Sequence, residues 1–351
     1  MNNDDEWISM GQATKGINRA LELDVELERC QELNAQGEGC LADNDIAKAE
    51  EYFSQAAEAL DKIDSEISSH EISDLKVDEY RAQAGASLGL ARCRARGVPE
   101  YTWRDDNRDQ EVCNEWSDVE DAFEESLEYC ENIKGIEDEG VLELKACAML
   151  GRAMVRDRIF EYEARHGLSE YWDSGRERQW PDKEYETVMQ FLSPLVEKNP
   201  DRFEPILLDA MTAQARWKRL NCNITNNIAI FGAGEFDPED QHVKLSESLD
   251  TLVEVIARRR RLAKRDPEKN RVALIDAVNE MVEHVSEGGP GSGRYSNDLV
   301  IRQLTSLQDD IRANITIVKK LVADQPTRYS ELLKRTENSL AKVTEIIIAR
   351  R

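Results

Sequence analysis

Fifteen Asp and Glu residues stand against three basic ones (Arg104, Arg108, Lys134) between Arg104 and Glu139, a local charge of −12. Within that tract Asp118, Asp121, Glu125 and Glu128 recur three and four apart. A helix would set them on one face, while Val119, Phe123, Leu127 and Cys130 would form its apolar stripe. Carboxylates in such a row could hold a metal, exchange protons with a substrate, or attract a basic partner. The first use fails on spacing. Asp105-x-Asn107-x-Asp109 opens like a calcium loop, but Gln110 stands where that loop needs glycine and Trp116 where it needs the bidentate glutamate. The second lacks a pocket to single out one pair among so many acids. The third remains, a docking face whose long-range field accelerates encounter with a cationic segment; a merely solvated face in a protein kept soluble by its charge is the alternative.

Other reactive residue types are dispersed. Seven cysteines (Cys30, Cys40, Cys93, Cys113, Cys130, Cys147, Cys222) include no Cys-x-x-Cys pair, and none of the four histidines has a partner at ligand spacing. The cysteines are therefore expected to be small buried hydrophobes, with no metal and no cofactor. Gly232-Ala-Gly234 follows no βαβ pattern and is too short for a dinucleotide fingerprint. Arg258-Arg259-Arg260-Arg261, with Lys264 and Arg265, is the one basic cluster. Its place near a helix C-terminus favours salt-bridging over nucleic acid, which the acidic N-terminal region would repel. Asp4, Asp5 and Glu6 occupy the start, where an export signal would carry positive charge. The longest apolar runs, such as 346–349, fall far short of the ~20 residues of a membrane helix. A cytoplasmic protein with no nucleic-acid or membrane partner is expected.

The elements that must position these residues are helices. Val300, Leu304, Leu307, Ile311, Ile315, Val318 and Val322 recur at three and four, Leu332, Thr336, Leu340, Val343 and Ile347 continue in the same way, and no segment alternates as a strand would. Helices are expected over 12–28, 29–42, 45–68, 75–96, 117–133, 141–166, 183–198, 201–221, 243–265, 269–286, 298–323 and 327–349. Three junctions share one form: Leu195, Leu262 and Leu321 each precede a proline (Pro200, Pro267, Pro326) by five residues, and another leucine (Leu207, Leu274, Leu333) follows seven later. One helix packs its leucine, and proline ends it and starts the next with φ already set. Residues 97–116, 167–182 and 222–242 are expected to be long connections. Gly288 to Gly293 has linker composition.

Near the N-terminus the repeat takes a familiar form. Leu33, Gly37, Ala49, Phe53 and Ala56, with a turn at Asp43-Asn44-Asp45, stand at the offsets of a tetratricopeptide repeat. The chain resembles that family over about 31–64 and more loosely elsewhere, where insertions stretch the unit. Cys40 replaces the family's tyrosine and Asp61 its proline. The resemblance implies an all-α, TPR-like α-solenoid of antiparallel helix pairs, with Gly37 small so that Phe53 can fill the gap between helices. It also implies that Gln31, Asn34, Glu38 and Leu41 face a groove. Of these Asn34 suits the family's capture of a peptide carboxylate, whereas Glu38 would repel one, so a basic or amphipathic ligand fits better.

Charge divides the chain as well. Residues 223–351 carry 20 basic and 20 acidic residues, so the whole net charge of −25 lies in 1–222 together with every cysteine and tryptophan. Two regions are expected: an acidic helical one over 1–222 and a charge-neutral one over 223–351 with the linker-like 288–293. The functional expectation is a non-catalytic adaptor that binds a protein partner through Asn34, Glu38, Asp118, Asp121, Glu125 and Glu128. The alternative is a regulated subunit, inhibitor or proteolytic target in a prokaryotic signalling or defence complex, with the 222–242 or 287–297 segment exposed.

Overall fold

The computed structural model describes residues 3–70, 73–99, 106–133, 138–165, 181–230, 238–287 and 297–350. Trp172, Trp180, the Phe231–Phe236 segment and Gly288–Gly293 lie outside them. Among the described residues every regular element is a helix: α1 (Asn3–Ala42), α2 (Ile46–His70), α3 (Ser73–Gly97), α4 (Asp106–Asn132), α5 (Glu139–Arg165), α6 (Pro181–Lys198), α7 (Pro200–Ile230), α8 (Pro238–Arg265), α9 (Pro267–Glu287), α10 (Asn297–Asp324) and α11 (Pro326–Arg350). In the first unit α1 packs on α2, α2 on α3 and α3 on α4, with α1 also touching α3, and α4 meets α5 where Phe123 lies against Gly151; in the second, α6 to α11 pack in succession, with α7 also touching α9 and α9 touching α11. This is an all-α helical repeat arrangement in two compact units, Met1–Tyr162 and Glu163–Arg351. The first unit holds 17 Lys and Arg against 40 Asp and Glu, a net −23, and the second 29 against 31, a net −2. The compositional boundary near residue 222 falls inside α7.

Three boundaries differ from expectation. The expected helices 12–28 and 29–42 are one helix, α1, since Leu23, Leu27, Cys30 and Leu41 keep one buried face across the proposed break. α4 begins at Asp106 rather than 117, with Val112 and Cys113 extending its buried stripe. α7 runs to Ile230 and α8 starts at Pro238, so most of the expected 222–242 connection is helical; asparagine is a weak helix former, not a breaker.

The first unit is held by aromatic rings seated in gaps left by glycine. Phe53 of α2 is buried between Gly37 of α1 and Gly89 of α3, and Phe123 of α4 sits on Gly151 of α5. Around each ring the helix repeats one spacing: Ala49, Phe53, Ala56 and Leu60 in α2, and Val119, Phe123, Ser126 and Cys130 in α4, all buried. At the tip of the first pair, Asn44 adopts φ 61°. The amide of Asn44 then donates to the Leu41 carbonyl (3.2 Å) and that of Asp45 to Cys40 (2.9 Å), closing α1 with a Schellman turn. Asp45 opens α2 at once, its carbonyl accepting the amide of Ala49 at 3.0 Å.

In the second unit the three Leu-to-Pro junctions are built alike. The amides of Asn199, Asp266 and Gln325 donate back to Leu195, Leu262 and Leu321 at 2.8, 2.9 and 2.8 Å, and their carbonyls accept from Phe203, Asn270 and Tyr329 at 3.2, 3.2 and 3.3 Å. One residue thus ends one helix and begins the next, and proline supplies the turn because the residue before it avoids the helical region. Each hairpin then buries its stripe in a core shared by α7–α11, including Leu208, Leu252, Val255, Val278, Ile311 and Val343.

A Cβ added at Gly37 would lie 2.7 Å from the Phe53 ring, and one at Gly89 closer still. Alanine in a helix interior ordinarily gains about 1 kcal/mol over glycine, whereas forced overpacking costs about 1–3 kcal/mol. Gly89→Ala is expected to lower the urea midpoint, and Phe53→Leu to make the same glycine change less harmful. A Gly89→Ala protein more stable than wild type would show that the ring does not occupy the gap.

Candidate functional site

α4 carries two kinds of acid. Glu120, Glu124 and Glu131 lie on the side turned toward α5 and are neutralised there: Arg156 reaches Glu120 at 2.6 Å and Glu124 at 3.1 Å, Arg152 reaches Glu124 at 3.7 Å, and Lys145 reaches Glu131 at 3.3 Å. Asp118, Asp121, Glu125 and Glu128 lie half a turn away from the buried stripe and are exposed, with Glu111 and Glu115 exposed beside them. Among the described residues no cation pairs with any of these six. Their one recorded partner is the Tyr129 hydroxyl, which donates to Glu125 at 3.3 Å. Burial pushes that phenol up to about 12, with the charge of Glu125 adding to the rise. The row from Glu111 to Glu128 extends roughly 25 Å at the rise of an α-helix.

The four stripe positions form three successive like-charged neighbours, each costing about 0.2–0.5 kcal/mol in an isolated helix. The helix forms because its opposite face is buried against α3 and α5. Ser126 Oγ donates to the carbonyl of Ala84 at 2.9 Å, and Phe123 sits on Gly151. The arrangement is a solvated anionic rod fixed to a packed scaffold.

Asn34 and Glu38 stand apart from that row. The Asn34 amide donates to the carbonyl of Ala82 at 2.9 Å, joining α1 to α3, and Glu38 is paired with Arg92 at 2.7 Å. Arg96 of α3 also donates to the carbonyl of Leu41 at 2.6 Å. Leu41, expected to face a groove, is buried in the core with Phe53 and Cys93. The inner stretch of α1 is thus engaged by α3, and the six residues proposed from sequence do not form one site. Five of the seven cysteines are buried, and burial pushes Cys93 and Cys130 up to about 11, which suits packing more than reactivity.

In the second unit four of the six residues of the basic cluster are spent on their own scaffold, and Arg261 and Lys264 are exposed. Arg258 pairs with Glu204 at 2.8 Å and Glu254 at 3.2 Å, Arg259 with Asp209, Arg260 with Asp310, and Arg265 with Asp201 at 3.1 Å. Arg259 is 2% exposed and also donates to the Pro205 carbonyl at 2.9 Å. Sequence reasoning missed a second cluster nearby. Glu280 of α9, 2% exposed, receives Arg219 of α7 at 3.0 Å, Arg335 of α11 at 3.3 Å and Arg216 of α7 at 3.5 Å. Burial works to raise its pKa, but the guanidinium groups of Arg216, Arg219 and Arg335 outweigh that and hold it below the usual carboxylate range. One turn on, His284 is fully buried with Nε2 2.7 Å from Ser248 Oγ. Burial pushes this histidine down to about 4. Both partners are enclosed between α8 and α9, so the pair ties helices together and has no access to a substrate. The available hint was spacing: Asp276, Glu280, Glu283 and His284 share a helix face with apolar neighbours.

Compared with known proteins, the sequence matches no family model and no curated relative. Among the described residues no group of three or more His, Cys, Asp or Glu side chains is arranged to hold a metal ion, and no helix is long and apolar enough to cross a membrane.

Removing a single member of a buried ion network leaves the others uncompensated, at about 3–5 kcal/mol. Glu280→Gln is expected to destabilise the second unit by that order in urea denaturation, since three arginines then converge on a neutral amide. A loss below about 1 kcal/mol would show that water, not Glu280, balances those charges.

Proposed function

We propose that this chain is a non-catalytic adaptor of the tetratricopeptide-like kind, which holds a basic, helical segment of a partner protein along the outward face of α4. The observation that carries this proposal is the division of acids on that one helix. Those facing α5 are matched by arginines and a lysine, whereas those facing solvent repel one another with no cation among the described residues paired to them. A row that costs folding stability and takes part in one internal hydrogen bond, from Tyr129 to Glu125, is explained by an external cation. The period of the row favours a helical ligand, because Lys or Arg residues three and four apart keep pace with it over several turns. The surplus of −23 on the same unit adds a long-range field that speeds capture. The phenylalanine-in-glycine packing of α1–α5 supports the likeness to tetratricopeptide repeats, and with it the role of a scaffold for other proteins.

The test is a titration of the full chain with a Lys/Arg-rich amphipathic helical peptide, using a scrambled peptide of equal charge as comparison. Tight binding that weakens steeply from about 50 to 200 mM salt is expected, as is preference for the helical peptide. Neutralising Asp118, Asp121, Glu125 and Glu128 together (to Asn or Gln) is expected to reduce affinity at least tenfold without lowering stability, because like-charge repulsion is relieved. If the neutralised chain binds the peptide as well as wild type, the face of α4 is only solvated.

A further inference from the structure

In the second unit α8 packs its inner side on α7 and α9, burying Leu252, Val255, Ile256 and Leu262, and among the described residues no other helix lies against its backbone. Its outer side carries a single straight stripe. Glu247, Asp250, Glu254, Ala257, Arg261 and Lys264 recur at intervals of 3, 4, 3, 4 and 3, and all six are exposed. That spacing is the seam along which one helix pairs with another. The stripe is divided by sign, with three acids first, two bases last and Ala257 between them, and Val253 lies beside the middle at 45% exposed.

Neither the helix dipole nor internal pairing accounts for this division. The dipole acts within the first and last turns, which include Lys264, whereas Glu247 and Asp250 lie well inside a helix that begins at Pro238. Glu254 pairs with Arg258 at 3.2 Å, and Glu247 reaches Lys218 of α7 at 3.7 Å. Arg261 and Lys264 have no acid paired to them among the described residues, although Arg260 beside them is held by Asp310. Reversed end for end about the point between Val255 and Ile256, the stripe is its own complement. Glu247 then falls opposite Lys264, Asp250 opposite Arg261, and Glu254 opposite Ala257. A parallel pairing would instead set every charge against its own copy.

We propose that the outer face of α8 binds the same face of a second copy of this chain, antiparallel about a two-fold axis, with Glu247 meeting Lys264 and Asp250 meeting Arg261 on both sides of Val253 and Ala257. A two-fold contact requires a self-complementary surface, and complementary charge fixes its direction. The net charge of −25 opposes association in general, but only −2 of it belongs to the second unit. At physiological salt, repulsion between exposed charges is screened beyond about 8 Å. The pairing is independent of the reading of α4, and places two acidic rows in one assembly, so that a partner with two basic segments gains avidity.

The experiment is sedimentation of the full chain in physiological salt. One pair of helices makes a small interface, so wild type is expected to pass from the mass of one chain to that of two between about 5 and 200 µM. Glu247→Lys with Asp250→Lys makes the charged positions basic except Glu254, and Arg261→Glu with Lys264→Glu makes them all acidic. Each double variant is expected to weaken the dimer at least thirtyfold, with helix content by circular dichroism unchanged. An equimolar mixture of the two is expected to dimerise again, because every reversed charge then meets its opposite. Should a reversal unfold the chain, Glu247→Gln with Asp250→Asn carries the test, at about a tenfold weakening. Wild type that stays a single chain throughout the range, a dimer indifferent to these changes, or a mixture that does not dimerise would overturn the proposal and leave the stripe a solvated face or a site for another protein.

Discussion

An amphipathic helix cannot bury its apolar stripe by itself, and every feature of this chain follows from how neighbouring helices are brought close enough to do it. The two units meet the requirement differently. In the first, glycine on α1, α3 and α5 lets an aromatic ring of the adjoining helix fill the space where side chains would otherwise hold the backbones apart. In the second, a single residue before proline joins each hairpin, so the paired helices emerge already adjacent and branched aliphatic residues close the gap. Ring-in-gap packing tolerates long connections, because the contact is specified far from the turn. Proline junctions place the constraint in the turn itself and leave almost no connection to vary.

Much of this was legible because it was local. The Leu-to-Pro junctions were visible as spacing, and each leucine proves to be the residue whose carbonyl accepts the last amide before the turn. The Gly37–Phe53 relation was visible through the repeat resemblance, and the Asp43-Asn44-Asp45 turn through its composition. Gly89 and Gly151 were harder, although Leu88-Gly89 and Leu150-Gly151 repeat a dipeptide, because an insertion separates each from its neighbours in the unit. Helix ends were misplaced where the sequence turned polar: exposed Arg108 and Glu111, with Asp109 buried between them, concealed the first turns of α4, and the asparagines after Cys222 concealed the end of α7. A polar residue on a solvated face gives no information about where a helix stops, whereas a cap or a proline does.

The exposure of the acidic row on α4 was legible in the sequence, and the surroundings of Asn34 and Glu38 were not. The acidic row is defined by positions on one helix, and such positions are computable from period alone. Asn34 and Glu38 were drawn from the same arithmetic but lie where α3 comes across, and only the third dimension supplies Ala82 and Arg92 as their partners. The Glu280 cluster was invisible for the same reason: its arginines come from α7 and α11, some sixty residues to one side and fifty-five to the other. Ionic contacts between helices distant in sequence leave no periodic trace.

Comparison of the charged groups across both units shows what is unusual about α4. Elsewhere a charge near the packed face is matched: Arg92 by Glu38, Arg156 by Glu120 and Glu124, Arg258 by Glu204, Glu280 by three guanidiniums. Such matching follows from desolvation, since a charge leaving water without a partner costs more than folding can spare. Exposed charges face no such demand, so their arrangement is free to serve something other than stability. On most helices here the exposed charges are mixed in sign. On α4, past Arg108 in its first turn, they are all negative and aligned over more than four turns. Mutual repulsion along that row acts against the helix, whereas a cationic ligand lying beside it would turn each repulsive neighbour into a bridged pair. The face is costly for the free protein, and under the proposed function that cost is offset in the complex, where each repulsive pair is bridged by a cation.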